Sequence, residues 1–131
     1  MSQQRINISS GAPWEAQVGY CRAVRVGNII EVAGTTATVD GVVVAPGDVY
    51  GQCVAIFQKV ETALQQAGAG MKDVVRTRTF ITDISKWQDY ARAHAEWFGH
   101  IRPAASLIEI KGLIDPAMLV EIEVTAIVAG E

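Results

Sequence analysis

The chain has 131 residues, half of them apolar and only 19% charged, with a formal net charge of −3. This length suits one domain around one hydrophobic core, and an acidic balance with scattered Lys and Arg lacks the basic stripe that a phosphate backbone demands, so nucleic acid is not an expected partner. So lean a charged surface is simplest to explain if part of it is buried between subunits, and an oligomer is expected.

The N-terminus, Met1-Ser-Gln-Gln-Arg-Ile-Asn, has no apolar h-region, and no later segment approaches the length of a membrane span. Cys21 and Cys53 are too few for a disulfide framework and show no C-x-x-C spacing, which points to the reducing cytoplasm and gives no support for a metal. Residues 1 to 18, with Trp14 as their only bulky anchor, read as an irregular arm. From Tyr20 to Ala33, two apolar runs flank Gly27-Asn28, a turn pair that suits a tight hairpin. Asp40-Gly41 separates two further short strands, and Pro46-Gly47-Asp48 closes this β-rich half.

Cys53, Ile56, Phe57, Val60, Ala63, Leu64 and Ala67 recur at spacings of three and four, which predicts one apolar helix face ended by Gly68. Val74 to Ile81 is β-rich, with Arg76 and Arg78 on one face, and Ser85-Lys-Trp-Gln88 reads as a capping box for a second helix. Its buried stripe is Trp87, Tyr90, Ala91, His94, Trp97 and Phe98, and Gly99 ends it. Two strands then follow, after Arg102-Pro103 and over Val120 to Val128. In the latter, Val120, Ile122, Val124, Ala126 and Val128 share one face, while Glu121, Glu123 and Thr125 share the other.

This order predicts an α+β fold in which both helices pack on one face of a single sheet. The other face stays uncovered, so Arg76, Arg78, Glu121 and Glu123 must meet solvent or another copy of the chain.

No Walker loop, H-E-x-x-H, G-x-S-x-G or strand-linked G-x-G-x-x-G is present, and no cofactor is expected. Glu121 and Glu123 could act as a general acid or base if their face is enclosed, because burial and a neighbouring like charge raise a carboxyl pKa. Alternation alone favours cross-strand ion pairs with Arg76 and Arg78. His94 falls on an apolar stripe and reads as a packed core histidine, while His100 reads as solvated. Cys21 and Cys53 read as small core residues, since nothing nearby in sequence would lower a thiol pKa. Thr35 and Thr36, after Gly34, are either an ordinary strand exit or a cradle for a ligand carboxylate.

Taken together, the pattern resembles the RidA/YjgF family, also called the Rid or L-PSP family. The likeness is carried by Tyr20 with Ala23-Val-Arg-Val-Gly-Asn-Ile-Ile-Glu-Val-Ala-Gly34, by Val74-Val-Arg-Thr-Arg-Thr-Phe-Ile-Thr-Asp83, and by Arg102-Pro through Val120-Glu-Ile-Glu123. The resemblance implies a chorismate-mutase-like α+β fold, a homotrimer with pockets at its subunit interfaces, and hydrolysis of reactive imines or enamines to keto acids and ammonia. It also implies that Tyr20 and Gly34 line the pocket and that Glu121 positions or activates water.

Within that resemblance the chain departs at Pro103-Ala-Ala-Ser106, where deaminating members read Pro-Ala-Arg-Ser and the arginine clamps the substrate carboxylate. Ala105 stands at that position, Leu107 follows Ser106 where cysteine is frequent, and Ala33 replaces a pocket serine. Losing a charge-assisted contact costs about 1.5 to 3 kcal/mol, so a 2-imino acid would be poorly held unless Arg22 or Arg102 supplies the charge from another direction. Two readings follow. One is a hydrolase of an imine, enamine or related labile bond, with Glu121 as the base; the other is a metabolite-binding or interaction module without catalysis. A ribonuclease fits poorly with an acidic chain lacking a catalytic His pair.

Overall fold

Residues 4–129 are described by a computed structural model. In chain order the elements are β1 (Arg5–Ile8), α1 (Pro13–Val18), β2 (Ala23–Val26), β3 (Ile29–Thr35), β4 (Thr38–Val39), β5 (Val42–Val43), α2 (Val49–Gln66), β6 (Val74–Ile81), α3 (Trp87–Phe98), β7 (Ala104–Glu109) and β8 (Val120–Ile127). The main sheet has the order β1-β2-β3-β8-β6-β7, and β4 and β5 form a separate ribbon. The β6–β7 pair is parallel, because α3 carries the chain back across the sheet between them.

The last strand therefore lies in the middle of the sheet, between β3 and β6. Its alternation becomes two faces: Val120, Ile122, Val124 and Ala126 are fully buried, whereas Glu121, Glu123 and Thr125 point the other way. Cys53, Ile56, Phe57, Val60 and Leu64 of α2 cover the apolar face, together with Tyr90, Ala93 and Phe98 of α3. Phe57 and Phe98 meet edge to face at 5.3 Å. Side chains buried to this extent contribute about 1.5–3 kcal/mol each.

His94 is a core histidine in this layer. Its ring lies against Phe57, Tyr90 and Phe98, its Nε2 is 2.9 Å from Thr77 Oγ1, and burial pushes its pKa below the usual histidine value. Gln52, also buried, donates to the Ala117 carbonyl and accepts from Leu119 N–H, both at 2.9 Å, which fastens the long loop leading into β8.

Local expectations fail in three places. The N-terminal arm is not irregular: β1 adds a strand to the edge of the sheet, and Ser9 and Ser10 fold over Glu15 of α1. No capping box starts α3, because Asp83 Oδ1 accepts from both Ser85 N–H and Ser85 Oγ–H and starts a 3-10 turn, Ile84–Lys86. Trp87, at the join, is 50% exposed, and Ala93 takes the buried place instead. At the other end Gly99 caps the helix after Phe98 as expected, though in a right-handed conformation, and the positive φ, +61°, comes at Arg102, whose N–H donates to Phe98 O.

Candidate functional site

The uncovered face is charged but not ion-paired. In register, Arg78 lies opposite Glu123, Arg76 opposite Thr125 and Phe80 opposite Glu121. The guanidinium groups turn to hydroxyls instead: Arg76 Nη2 donates to Ser106 Oγ at 3.0 Å and Arg78 Nη1 to Thr125 Oγ1 at 3.3 Å. Thr125 in turn donates to Glu31 at 2.6 Å. Among the described residues the only ion pair is Arg92–Asp89, on the surface of α3. The cross-strand ion pairs that alternation favoured are therefore not formed within the chain.

Glu121 is packed against the backbone of Gly34. A Cβ at Gly34 would stand 2.8 Å from Glu121 Cδ and 2.9 Å from Oε2, so only glycine leaves room for the carboxyl where it is. Burial raises the Glu121 pKa above its usual value, Glu123 adds to this, and Arg22 opposes it. No hydrogen bond reaches the carboxyl within the described residues, and neither oxygen is sealed from solvent. A half-buried carboxyl that is weakly solvated yet accessible is a competent general base or acid.

Gly34 also ties in Arg22, whose Nη2 donates to the Gly34 carbonyl at 2.8 Å and whose guanidinium lies 5.6 Å from the Tyr20 ring centroid. Arg22 is buried, at 8% exposure. Beside this group a shallow cleft of about 420 Å³ opens, with Tyr20, Cys21, Glu31, Ala33, Arg78 and Glu123 among its lining. The cleft stops at Glu123; Glu121 stands one like-facing position further along β8, about 7 Å on.

Tyr20, Arg22, Ala33, Gly34 and Glu121 thus share one neighbourhood. Thr35 does not join them. It is fully buried, pairs with Ile122 on the covered face and donates to Ala33 O, so it offers nothing to a ligand. Ser106 faces the open side but binds Arg76, with β6 between it and β8. Ala105 pairs with Thr77 and Leu107 with Thr79, which turns both toward the helix side of the edge strand, where Leu107 packs on the core. Arg102 is exposed in the loop before β7. Within one chain the residues predicted near the C-terminal edge are separated from those around Gly34.

Two residues that sequence reasoning left out belong near the site. Cys21, read as a core residue, is partly exposed and lines the cleft, while Cys53 is fully buried and its thiol is pushed up to about 12. Lys59, on the flank of α2, donates to the carbonyls of Thr36 and Thr38 at 2.9 and 2.8 Å. No pattern marks it, since it falls outside the apolar face of its helix. A second groove, about 680 Å³ and lined by Trp97, His100 and Lys72 among others, collects none of the predicted site residues. Among the described residues no cluster of His, Cys, Asp and Glu is arranged to hold a metal, and no helix is long and apolar enough to cross a membrane.

Comparison with known proteins agrees with this architecture. The family model described as Endoribonuclease L-PSP matches residues 10–128. A Streptomyces coelicolor protein described as uncharacterized is 37% identical over 119 residues, covering 91% of this chain and 89% of its own. The 3-aminoacrylate deaminase RutC of Acinetobacter baylyi is 32% identical over 107 residues, covering 79% and 82%. The crystal structure of a Mycobacterium tuberculosis member of the YjgF/YER057c/UK114 family is similar with a TM-score of 0.87 and 46% identity, over 95% of this chain and all of that one. With its sheet and helices arranged as in these structures and nearly its whole length matched, the chain belongs to the RidA/YjgF (L-PSP) family.

Proposed function

We propose that the chain acts as a single Rid-family domain in a cytoplasmic homotrimer, and that the open sheet face, closed by neighbouring copies, binds a small metabolite whose imine, enamine or related labile bond is hydrolysed with Glu121 activating water. The observation that carries this reading is the Glu121 carboxyl itself: packed on Gly34, free of hydrogen bonds within the described residues, and raised in pKa by burial. Exposed Val26, Ile29, Ile108 and Ile127 on the same face give neighbouring copies apolar surface to cover. The Acinetobacter relative, a 3-aminoacrylate deaminase, supports the reaction class.

In this mechanism ionised Glu121 takes a proton from water as the water oxygen adds to the carbon of a C=N bond, and passes that proton on to the nitrogen. The resulting amino alcohol loses ammonia and leaves a carbonyl product. A raised carboxyl pKa brings the base closer to the pH at which it works. Ala105 leaves β7 without the arginine that clamps a carboxylate in deaminating relatives, so the preferred substrate lacks a carboxylate or presents it elsewhere.

The test is ammonia release from a panel of short-lived imines and enamines with purified protein. Catalysis is expected, and Glu121→Gln should reduce it by about 10²-fold or more. Rates that are the same with and without protein across the panel would end this reading. The second reading, binding without turnover, is favoured by Ala105 standing where the clamp is missing. A ligand that raises the melting temperature and is recovered chemically unchanged would establish it.

A further inference from the structure

This inference rests on the pocket reading above and specifies what the ligand must carry. Arg22 immediately precedes β2, and its carbonyl accepts from Ala33 N–H at 2.9 Å, which pairs it with Ala33 on the open face. Its guanidinium then runs over the end of β3, where Nη2 is held by the Gly34 carbonyl at 2.8 Å. The side chain is 8% exposed and its Nε is buried without a hydrogen-bond partner. Nη1 makes no hydrogen bond either, yet it is not sealed from solvent. Arginine at this depth is ordinarily paired with a carboxylate, because an unpaired buried cation is costly; here no carboxylate lies within ion-pair distance among the described residues.

Lys59 places a second cation near Arg22. It is half-buried, its Nζ is spent on the carbonyls of Thr36 and Thr38, and burial together with the nearby Arg22 depresses its pKa. Glu121, across Gly34, is near enough to feel Arg22 but is not paired with it. Arg22 thus acts on two carboxyls, Glu15 and Glu121, yet is ion-paired with neither, and burial favours the neutral form of Glu121. A planar carboxylate matches the free edge of a guanidinium through two parallel N–H···O bonds, which no carbonyl of the chain can replace.

We propose that Arg22, backed by the charge of Lys59, holds the carboxylate of the ligand, so that the acid group enters over the β2–β3 end of the sheet. Ala105 lies on β7, with β3, β8 and β6 between it and β2, so Arg22 replaces the missing charge from the other side of Glu121. The carboxylate bound there leaves the neighbouring carbon of the same small molecule facing Gly34 and Glu121.

The experiment uses full-length protein titrated with pyruvate and with pyruvamide, its neutral counterpart, by calorimetry and by the ¹⁵N signals of arginine Nε–H groups. Pyruvate is expected to bind at least tenfold more tightly than pyruvamide and to shift the Arg22 Nε–H resonance of the wild-type protein. Arg22→Gln should bring pyruvate down to the affinity of pyruvamide, Arg22→Lys should retain part of the preference, and Lys59→Met should weaken pyruvate several-fold. Absent or equal binding of the two probes, an unmoved Arg22 signal at saturation, or a pyruvate affinity that survives Arg22→Gln would each overturn the proposal. The wild-type spectrum decides it even if a variant fails to fold. A carboxylate from a neighbouring copy seated on Arg22 would appear as a wild-type protein blind to pyruvate and an Arg22→Gln assembly that falls apart, and that outcome also overturns it. Pyruvate selectivity without any imine turnover would remove the hydrolase reading and keep this one; Glu121-dependent turnover without pyruvate selectivity would do the reverse.

Discussion

Two carboxyl groups, in the N-terminal segment and at the β3–β8 seam, show how differently one chain treats the same chemistry. Glu15 is the more covered, at 6% exposure, yet its pKa lies below the usual carboxylate value. Burial pushes it upward, but Ser10 Oγ, Ser9 Oγ and Ser10 N–H all donate to it and, with the smaller effect of the Arg22 charge, outweigh that cost. Its cover is a surface loop folded around it rather than the core. Glu121 is only half-buried and has no such donors in the described residues, so burial and Glu123 raise its pKa. Coverage alone does not set the sign of a pKa shift; the number of donors pointed at the ionised form does. Glu15 is solvated by its loop and fixed in its charge, whereas Glu121 is left able to exchange a proton.

The largest expected effect tests whether Glu121 is the reactive member of this pair. Glu121→Gln should lower imine hydrolysis by about 10²-fold or more, while Glu15→Gln leaves turnover per folded molecule unchanged. Comparable losses in both variants would erase the distinction.

Stability against pH separates the two next, with opposite signs. The folded pKa of Glu15 is depressed, so its contribution is present above about 4.5, the ordinary glutamate value, and is lost as pH falls through the folded value. Glu15→Gln should therefore cost about 1.5–3 kcal/mol near neutral pH in denaturant melts, with the gap closing in acid. The folded pKa of Glu121 is raised, so its stability is fully present below about 4.5 and is lost as pH rises through the folded value. Glu121→Gln should match wild type in acid and become the more stable protein as pH rises. Parallel melting curves for wild type and both variants would contradict the contrast.

A smaller effect is expected from Gly34→Ala. The new Cβ would stand 2.8 Å from Glu121 Cδ, but the end of a glutamate side chain can swing aside, so stability should change by less than about 1 kcal/mol. Displacing the carboxyl should still cost activity, about tenfold, because general-base geometry is sensitive to misplacement. Full activity in this variant would show that the Glu121 position over Gly34 is not the working one. The smallest effect concerns the covered face. Burial lowers the pKa of His94, so stability should decline as pH falls from about 6.5 through the folded value, and His94→Gln should flatten that slope in melts.

How much of this was readable beforehand depended on how long each pattern runs. The eight residues of β8 alternate without interruption, and the apolar positions of α2 recur over most of its eighteen, so both were legible down to the buried side chains. The four residues of β1 are too few for alternation to register, and that strand exists because Ala23 to Val26 offers it an edge to pair with. At α3 the expected Ser85–Gln88 box does not form, because Asp83 Oδ1 accepts from both donors of Ser85, a local contact that the box pattern does not register. Which of its two readings Thr35 follows is decided by a subtler feature. The β3–β8 register shifts between Val32 and Thr35, so the phase of alternation changes there, and Thr35 turns into the core while Gly34 meets Glu121.

The sequence by itself determined which residues face inward along the long elements, that one sheet face would stay uncovered, and the family to which the chain belongs. These depend on periodicity and on local motifs, which a linear string carries directly. Only the tertiary structure decided that Arg76 and Arg78 bind hydroxyls rather than Glu121 and Glu123, that Arg22 is buried without a carboxylate partner, and that Ala105 lies far across the sheet from Arg22. Each of these depends on which strands become neighbours and in what register. Strand order and register arise from long-range pairing, and neither is written in the spacing of residues along any one strand.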